Sequence, residues 1–366
     1  MDKHRRFLNQ RYFPLLDGLR CLAIVSVVWL HATGLRHGLL GRGGEGVSLF
    51  FVISGFLITT LLLRERSETG NISLKSFYLR RTLRIFPVYY GTLGLYVILT
   101  VLLERHTESG EQFWHNLPFF ATYTSNWFVP LTSDHVIFFF AWSLATEEQF
   151  YLFWPWVIRK SGVIIPISVM GLLIVLHNVA VSNRDTSMVG TVLASVSAYI
   201  CAGSLAAIAL HHRASFKWAC LAIGWPGSAL VAAGATIVTL AFDELSPWCL
   251  VVTMTWFVSA CVLRPTDQPL SWFLAARPIK HIGTVSYGIY IMHFLCINVV
   301  RQVVHLHEGL IVFLLALPLS IGVATLSFRF YETPFLRLKM QLAKKRRDAA
   351  KPSRGSWTPA DAIPGK

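Results

Sequence analysis

The chain has 366 residues, of which 54% are hydrophobic and only 14% charged, and its mean hydropathy is +0.52. A soluble domain has about a quarter of its residues charged and shorter apolar runs, so this composition excludes an ordinary water-soluble globule and points to a bilayer as the solvent. The formal net charge of +14 could suggest nucleic acid, and only the placement of the basic residues decides that question.

Apolar runs of spanning length fall at roughly 15–34, 45–63, 85–103, 136–158, 161–178, 189–210, 218–241, 247–263, 282–300 and 309–330. They predict an all-α integral membrane protein of about ten transmembrane helices with both termini on one side. With the N-terminus inside, 27 of the 33 Lys and Arg residues lie in cytoplasmic segments, five lie outside (Arg36, Arg42, Arg105, Arg184 and Arg301), and Arg20 lies within the first span. This positive-inside skew makes both termini cytoplasmic and assigns the basic excess to topology and membrane lipid, with no nucleic acid partner.

The predicted organisation is a cytoplasmic segment over 1–11, one transmembrane domain over 12–338 without internal repeats, and a basic, disordered cytoplasmic tail over 339–366. The start, MDKHRRFLNQR before an apolar run, superficially resembles a signal peptide. Asp17 and Arg20 interrupt that run and no small-residue cleavage site follows, so it is expected to be retained. Six cysteines without paired spacing suggest neither a disulfide framework nor a metal site.

In chain order, the first span reads LLDGLRCLAIVSVVWLHATG and places Asp17, Arg20 and His31 in an apolar helix. A central charge there costs roughly 2.5 to 3.5 kcal/mol on insertion scales, so such residues face a bundle interior, pair, or line a pathway. Arg20 and His31 are eleven residues apart, about 16 Å of rise and within about 20° of one face. Two readings stay open: an Asp17–Arg20 pair at the interface with a snorkelling His31, or a polar seam with a phosphate-binding guanidinium at one mouth and a general base near the other.

The second run, GRGGEGVSLFFVISGFLITTLLL, carries Ser54 among small residues that let helices approach closely. FYLRRTLRIFPVYY follows, with Arg81 and Arg84 on one face at i and i+3; they are either a lipid-facing basic run or a clamp for a polyphosphate such as acyl-CoA. The external stretch of about 104–135 is rich in aromatics, expected to form an interfacial belt or a surface helix, with a sugar-stacking platform as the alternative.

The fourth run holds Ser143, Glu147, Glu148 and Gln149, with Ser143 and Glu147 at i and i+4. Glu147 is thereby expected to take an interior hydrogen-bonded position, with ion pairing to an arginine of another helix as the plain alternative. The ninth run, SYGIYIMHFLCI, adds Tyr287, Tyr290 and His293, and FRFYETPF closes the last. For His293 the plain reading is a satisfied core histidine. Glu148, His293, Tyr287 and Ser54 stand as secondary candidates.

Six pieces occur in one order: DGLR with His31, GEGVSLFFVISGF, FYLRRTLRIFPVYY, WSLATEEQFYLFWP, SYGIYIMHF and FYETPF. Together they cover almost the whole membrane portion, and the chain resembles the membrane acyltransferases of family three, the group that includes O-antigen acetylases and the nodulation-factor acetylase. The resemblance implies a ten-helix bundle in a bacterial inner membrane that moves an acyl group, by default acetyl, from cytoplasmic acyl-CoA to a hydroxyl, often on an exported glycan. No permanently bound cofactor is implied; acyl-CoA is a donor substrate.

By position, Arg20 and His31 match the family's essential arginine and histidine, Arg81 and Arg84 its donor-side pair, and Ser143 and Glu147 its serine and acid. Asp17 is a further catalytic candidate, either supporting catalysis or pairing with Arg20. The sequence lacks the fused hydrolase-like domain of longer members, so direct transfer to the acceptor is the simpler expectation. The acceptor could be a surface polysaccharide or lipopolysaccharide sugar, or a macrolide-type metabolite. A polytopic transporter is the competing class, because intramembrane Arg, Glu and His also mark transport pathways.

Overall fold

A computed structural model describes residues 2–10, 12–130, 136–160, 162–242, 244–266, 270–338 and 341. The predicted tail, 339–366, lies outside the described residues apart from 341. Among the described residues the protein is all helical, with no strand. The principal helices are α1 (Pro14–Thr33), α2 (Glu45–Thr69), α3 (Leu74–Leu103), α4 (Glu108–Ala121), α5 (Ala141–Lys160), α6 (Ile164–Ser182), α7 (Ala198–His211), α8 (Ser228–Ala241), α9 (Pro247–Leu263), α10 (Arg277–Thr284), α11 (Ser286–Val304) and α12 (Leu310–Ser327).

Six helices are long and apolar enough to cross a membrane, or up to eight if two bent pairs each count as one span. The predicted count of about ten is therefore supported only in part. Each shortfall has a physical cause. Glu147, Glu148 and Gln149 dilute the hydropathy of α5, and α9 is a short apolar helix of 17 residues. Met188–Ala194 meets α7 at 50°, and Arg213–Ile223 meets α8 at 72°. At the second bend the chain passes through Gly224, Trp225, Pro226 and Gly227, and Gly227 has φ +83°, which ends one helix and redirects the next.

Sequence sets the helix ends locally. Pro14 occupies the first turn of α1, where its missing N–H costs nothing, and Gly34 stops the helix at φ +67° with its N–H on the Leu30 carbonyl. Ser73 caps α3 by accepting from the Ser76 N–H.

α1 sits at the centre. Its Leu15, Leu16, Leu19 and Ala23 join one core with α2, α7, α8 and α9, while Ile24, Val27 and Val28 join another with α3, α4, α5 and α11. A helix buried on both flanks can hide polar groups from lipid, so the polar residues of α1 fall inside the bundle. Two close contacts lock the packing. A Cβ on Gly55 of α2 would come within 2.1 Å of the Ile200 carbonyl oxygen of α7, and one on Gly283 of α10 within 1.8 Å of the Asp17 carbonyl oxygen of α1. On the outside, apolar side chains such as Leu102, Ile164, Val252 and Leu314 are exposed, as lipid-facing residues are.

The aromatic stretch before α5 departs from expectation. Phe113 and Phe120 of α4 are fully buried, packed with Tyr89, Tyr96, Phe138 and Phe140. α4 folds back onto α3 through the Tyr89 and Tyr90 hydroxyls, which donate to the Phe120 and Ala121 carbonyls at 2.8 Å each. Phe113, Phe120 and Tyr123 thus build core, Phe119 and Trp127 are half-buried, and Trp114 and Phe128 remain exposed.

Candidate active site

A cavity of about 150 Å³ opens between α1, α2, α3, α5 and α11. It collects Arg20, Ser54, Arg81, Arg84, Ser143, Glu147 and Tyr287, seven of the eleven residues singled out in the sequence, together with Tyr151 and Tyr290. Five helices contribute these groups. Only a bundle that brings α2, α3 and α5 around α1 could gather them.

At the basic end, Arg20 donates through Nη1 to Asp17 Oδ1 at 3.0 Å, and the Tyr12 hydroxyl donates to Asp17 Oδ2 at 2.5 Å. Asp17 is thus fully engaged, and the pair expected at the interface is present while Arg20 still faces the cavity. Tyr12 precedes α1; burial, then its bond to Asp17, push its phenol up to about 12, so it stays a donor at neutral pH.

Arg81 and Arg84 behave differently. Among the described residues neither makes a hydrogen bond or an ion pair. The Arg81 guanidinium lies 4.7 Å from the centroid of the Tyr151 ring, a cation–π contact that leaves its N–H groups free. Their neighbour Arg80 turns away to Glu65 at 2.9 Å. Two unspent guanidiniums beside Arg20 form a site suited to an anion with several oxygens.

Along the inner wall, Glu147 accepts from the Ser54 hydroxyl at 2.9 Å and from the Tyr151 hydroxyl at 2.8 Å. Its expected hydrogen-bonded position is observed, but Ser143 is not its partner. Ser143 Oγ lies 2.6 Å from the Tyr290 hydroxyl, and each of these oxygens is 3.1 Å from the Phe140 carbonyl. Sequence spacing could identify the i+4 tyrosine, Tyr151, as a bonding partner on the same helix face; it had no signal for Tyr290 across the bundle.

His31 and His293 lie beyond the cavity, at the other end of α1, and neither lines it. Asp17 and His31 are fourteen residues apart, about 21 Å of helix rise. His293 is 0% exposed, with Nε2 3.2 Å from His31 Nδ1 and Nδ1 2.5 Å from the Tyr290 carbonyl. Phe140 and Phe294 pack on the pair, and Arg301 donates to the His31 carbonyl at 3.0 Å. His293 is a core histidine, as the plain reading has it, yet its partner is His31. Glu148 is half-buried and, among the described residues, makes no hydrogen bond or ion pair. Tyr287 donates to the Ile85 carbonyl at 3.1 Å.

A family model described as an acyltransferase domain matches residues 13–329, from just before α1 to the turn after α12. The chain belongs to this family. Over 369 residues the acyltransferase domain is 31% identical to the O-acetyltransferase OatA of Staphylococcus aureus, covering 90% of this chain and 58% of that relative. It is 29% identical over 362 residues to the peptidoglycan O-acetyltransferase OatA of Listeria monocytogenes, covering 89% and 56%. The chain thus spans little more than half the length of the curated relatives it matches. No solved structure matches it.

Proposed function

We propose that this acyltransferase domain is a membrane O-acyltransferase that takes an acyl group, by default acetyl, from cytoplasmic acyl-CoA and delivers it to a hydroxyl of a glycan at the cell surface. The observation that carries the reading is the pair of unspent guanidiniums, Arg81 and Arg84, sharing one cavity with Arg20, Ser143 and Glu147. Similarity to O-acetyltransferases, one of them acting on peptidoglycan by its name, supports an acetyl donor and a glycan acceptor. Ten apolar runs with their charge skew support ten spans with both termini cytoplasmic and the arginine mouth inside, and the family supports a bacterial inner membrane.

In this reading Arg20, Arg81 and Arg84 hold the phosphates of acyl-CoA, and Asp17 orients Arg20. The acyl arm enters along Ser54, Glu147 and Ser143 toward the His31 end. The thioester C–S bond breaks and an ester C–O bond forms, while the acceptor's hydroxyl proton passes through His31 to the departing CoA sulfur. His31 either takes that proton from the acceptor as general base or carries the acyl group in between.

The test is acyl-CoA binding and transfer of a labelled acetyl group in membrane vesicles. Arg81→Ala with Arg84→Ala should weaken acyl-CoA binding by at least tenfold. Unchanged binding, or solute flux without acyl consumption, would overturn the reading.

A further inference from the structure

The histidine pair carries more information than two rings in contact, because one of its hydrogen bonds has a fixed direction. The Tyr290 carbonyl oxygen can only accept, so His293 Nδ1, 2.5 Å away, must carry a proton. His293 is fully buried among Phe140, Phe294 and Tyr290. Among the described residues no carboxylate bonds to it, and an imidazolium there would be an uncompensated buried charge. The ring is therefore neutral, and its Nε2 holds a lone pair. That lone pair faces His31 Nδ1 at 3.2 Å.

The proton of the inter-ring bond must then come from His31. With His31 protonated on Nδ1, its remaining nitrogen, Nε2, is unprotonated and carries the lone pair. The competing arrangement puts the His31 proton on Nε2 instead, leaving Nδ1 unprotonated. It would set two acceptor nitrogens against each other at 3.2 Å with no proton between them.

We infer that His293 is a positioning residue that fixes the His31 tautomer, with the Tyr290 carbonyl as the anchor of a directed chain from Tyr290 O through His293 to His31, so that His31 Nε2 is the reactive atom. The inference rests on the reading of His31 as the reactive group, and it adds which atom acts and what holds it. It serves both schemes: a general base needs the lone pair on Nε2 to receive the acceptor's proton, and a nucleophile needs the same lone pair to attack the acyl carbon. Arg301, donating to the His31 carbonyl, and the Gly309 N–H, donating to the Ala32 carbonyl at 3.0 Å, hold the helix end that carries the ring. Partners that fix the tautomer and ring orientation of metal-ligating histidines matter by about 10–100-fold, which sets the scale expected of a partner doing the same for His31.

The experiment is 15N NMR of histidine-labelled, full-length protein in lipid nanodiscs, with the His31 signals assigned by their loss in His31→Ala. The expected spectrum shows a neutral His31 with a protonated Nδ1 and an unprotonated Nε2. A neutral His31 protonated on Nε2 would overturn the inference. Kinetics supply the second reading: His293→Leu, which offers no acceptor, should lower kcat for acyl transfer about 10–100-fold with KM for acyl-CoA unchanged. His293→Gln, whose amide oxygen can accept from His31 Nδ1 and whose NH2 can donate to Tyr290, should restore most of it. Equal loss in both variants, or none in His293→Leu, would also overturn it. If the spectrum is as expected but His31→Ala transfers acetyl at the full rate, the tautomer stands, and the role given to His31 in the proposed function falls together with Nε2 as the reactive atom.

Discussion

The two ends of α1 differ in how much hydrogen-bonding capacity they leave unused. At the basic end, Arg81 and Arg84 face the cavity with no hydrogen bond or ion pair among the described residues. At the far end, His293 spends both ring nitrogens, and Arg301 anchors the His31 carbonyl. Groups meant to bind a ligand keep capacity for it, whereas groups meant to act from a fixed position are held by their surroundings. Between the two ends, Glu147 and Ser143 line the cavity yet are already bonded to Ser54, Tyr151 and Tyr290.

The contrast breaks most sharply if the far end proves dispensable. His31→Ala should reduce acyl transfer by about 10²–10⁴-fold through kcat, as loss of a general base does, with acyl-CoA binding retained. Transfer kinetics with labelled acetyl-CoA in vesicles, beside a binding measurement on the same preparation, separate the two parameters. A rise in KM alone would place His31 with the binding groups and erase the distinction.

Next in size is the mirror experiment. Arg81→Ala and Arg84→Ala each remove a charged donor whose hydrogen bonds to a phosphate contribute about 1.5–3 kcal/mol. Each variant should therefore raise KM for acyl-CoA roughly tenfold or more while kcat changes little. Arg→Lys at either position should recover part of the binding, because the charge remains but the bidentate fork is lost. A kcat effect larger than the KM effect would mean that these arginines also order the acyl group.

A third substitution tests the frame rather than either end. Gly55→Val would drive a side chain into the Ile200 carbonyl, already 2.1 Å from an added Cβ, and α2 and α7 would have to separate. Overpacking of this kind costs about 1–3 kcal/mol, so the variant should unfold earlier in detergent thermal scans and lose transfer in proportion to folded protein. Loss of kcat with an unchanged melting temperature would show that α2 positions Ser54 more delicately than its packing suggests.

The basic end is the more legible of the two from sequence. Arginine and glutamate in an apolar run are costly, so Arg20 and Glu147 announce an interior site by composition alone, whereas Arg81 and Arg84, just before the run at 85–103, read equally as a lipid-facing basic run; one cavity gathers all four. The meeting of His31 with His293 is not legible in this way. It depends on how α1 and α11 pack, and two histidines 262 residues apart share no local period. Tyr290 is hidden for the same reason, since its hydroxyl finds Ser143 across the bundle. The aromatic stretch misleads in the opposite direction. Its rings have the composition of an interfacial belt, and only the fold-back of α4 onto Tyr89 and Tyr90 shows why Phe113 and Phe120 are core. Likewise, apolar run length cannot reveal that two of the predicted spans bend by 50° and 72°.

The smallest effect belongs to Tyr12, which tests whether Arg20 is held or merely nearby. Its hydroxyl and Arg20 share the Asp17 carboxylate, one on each oxygen. Burial and that bond raise the phenol from its ordinary value near 10 to about 12, so the folded state favours the protonated, donating form. The contribution is fully present below about pH 10 and is lost as pH rises through about 12. Tyr12 is 52% exposed, so water competes for the bond and the effect is correspondingly modest. Tyr12→Phe should raise KM for acyl-CoA by no more than about fivefold at neutral pH, in line with one partly solvated hydrogen bond. The gap in thermal stability between wild type and variant should close as the pH is taken from 9 toward about 12, because the wild-type phenol then loses its proton as well. A gap that persists through that range would assign the effect to ring packing, and Arg20 would then owe its position to Asp17 alone.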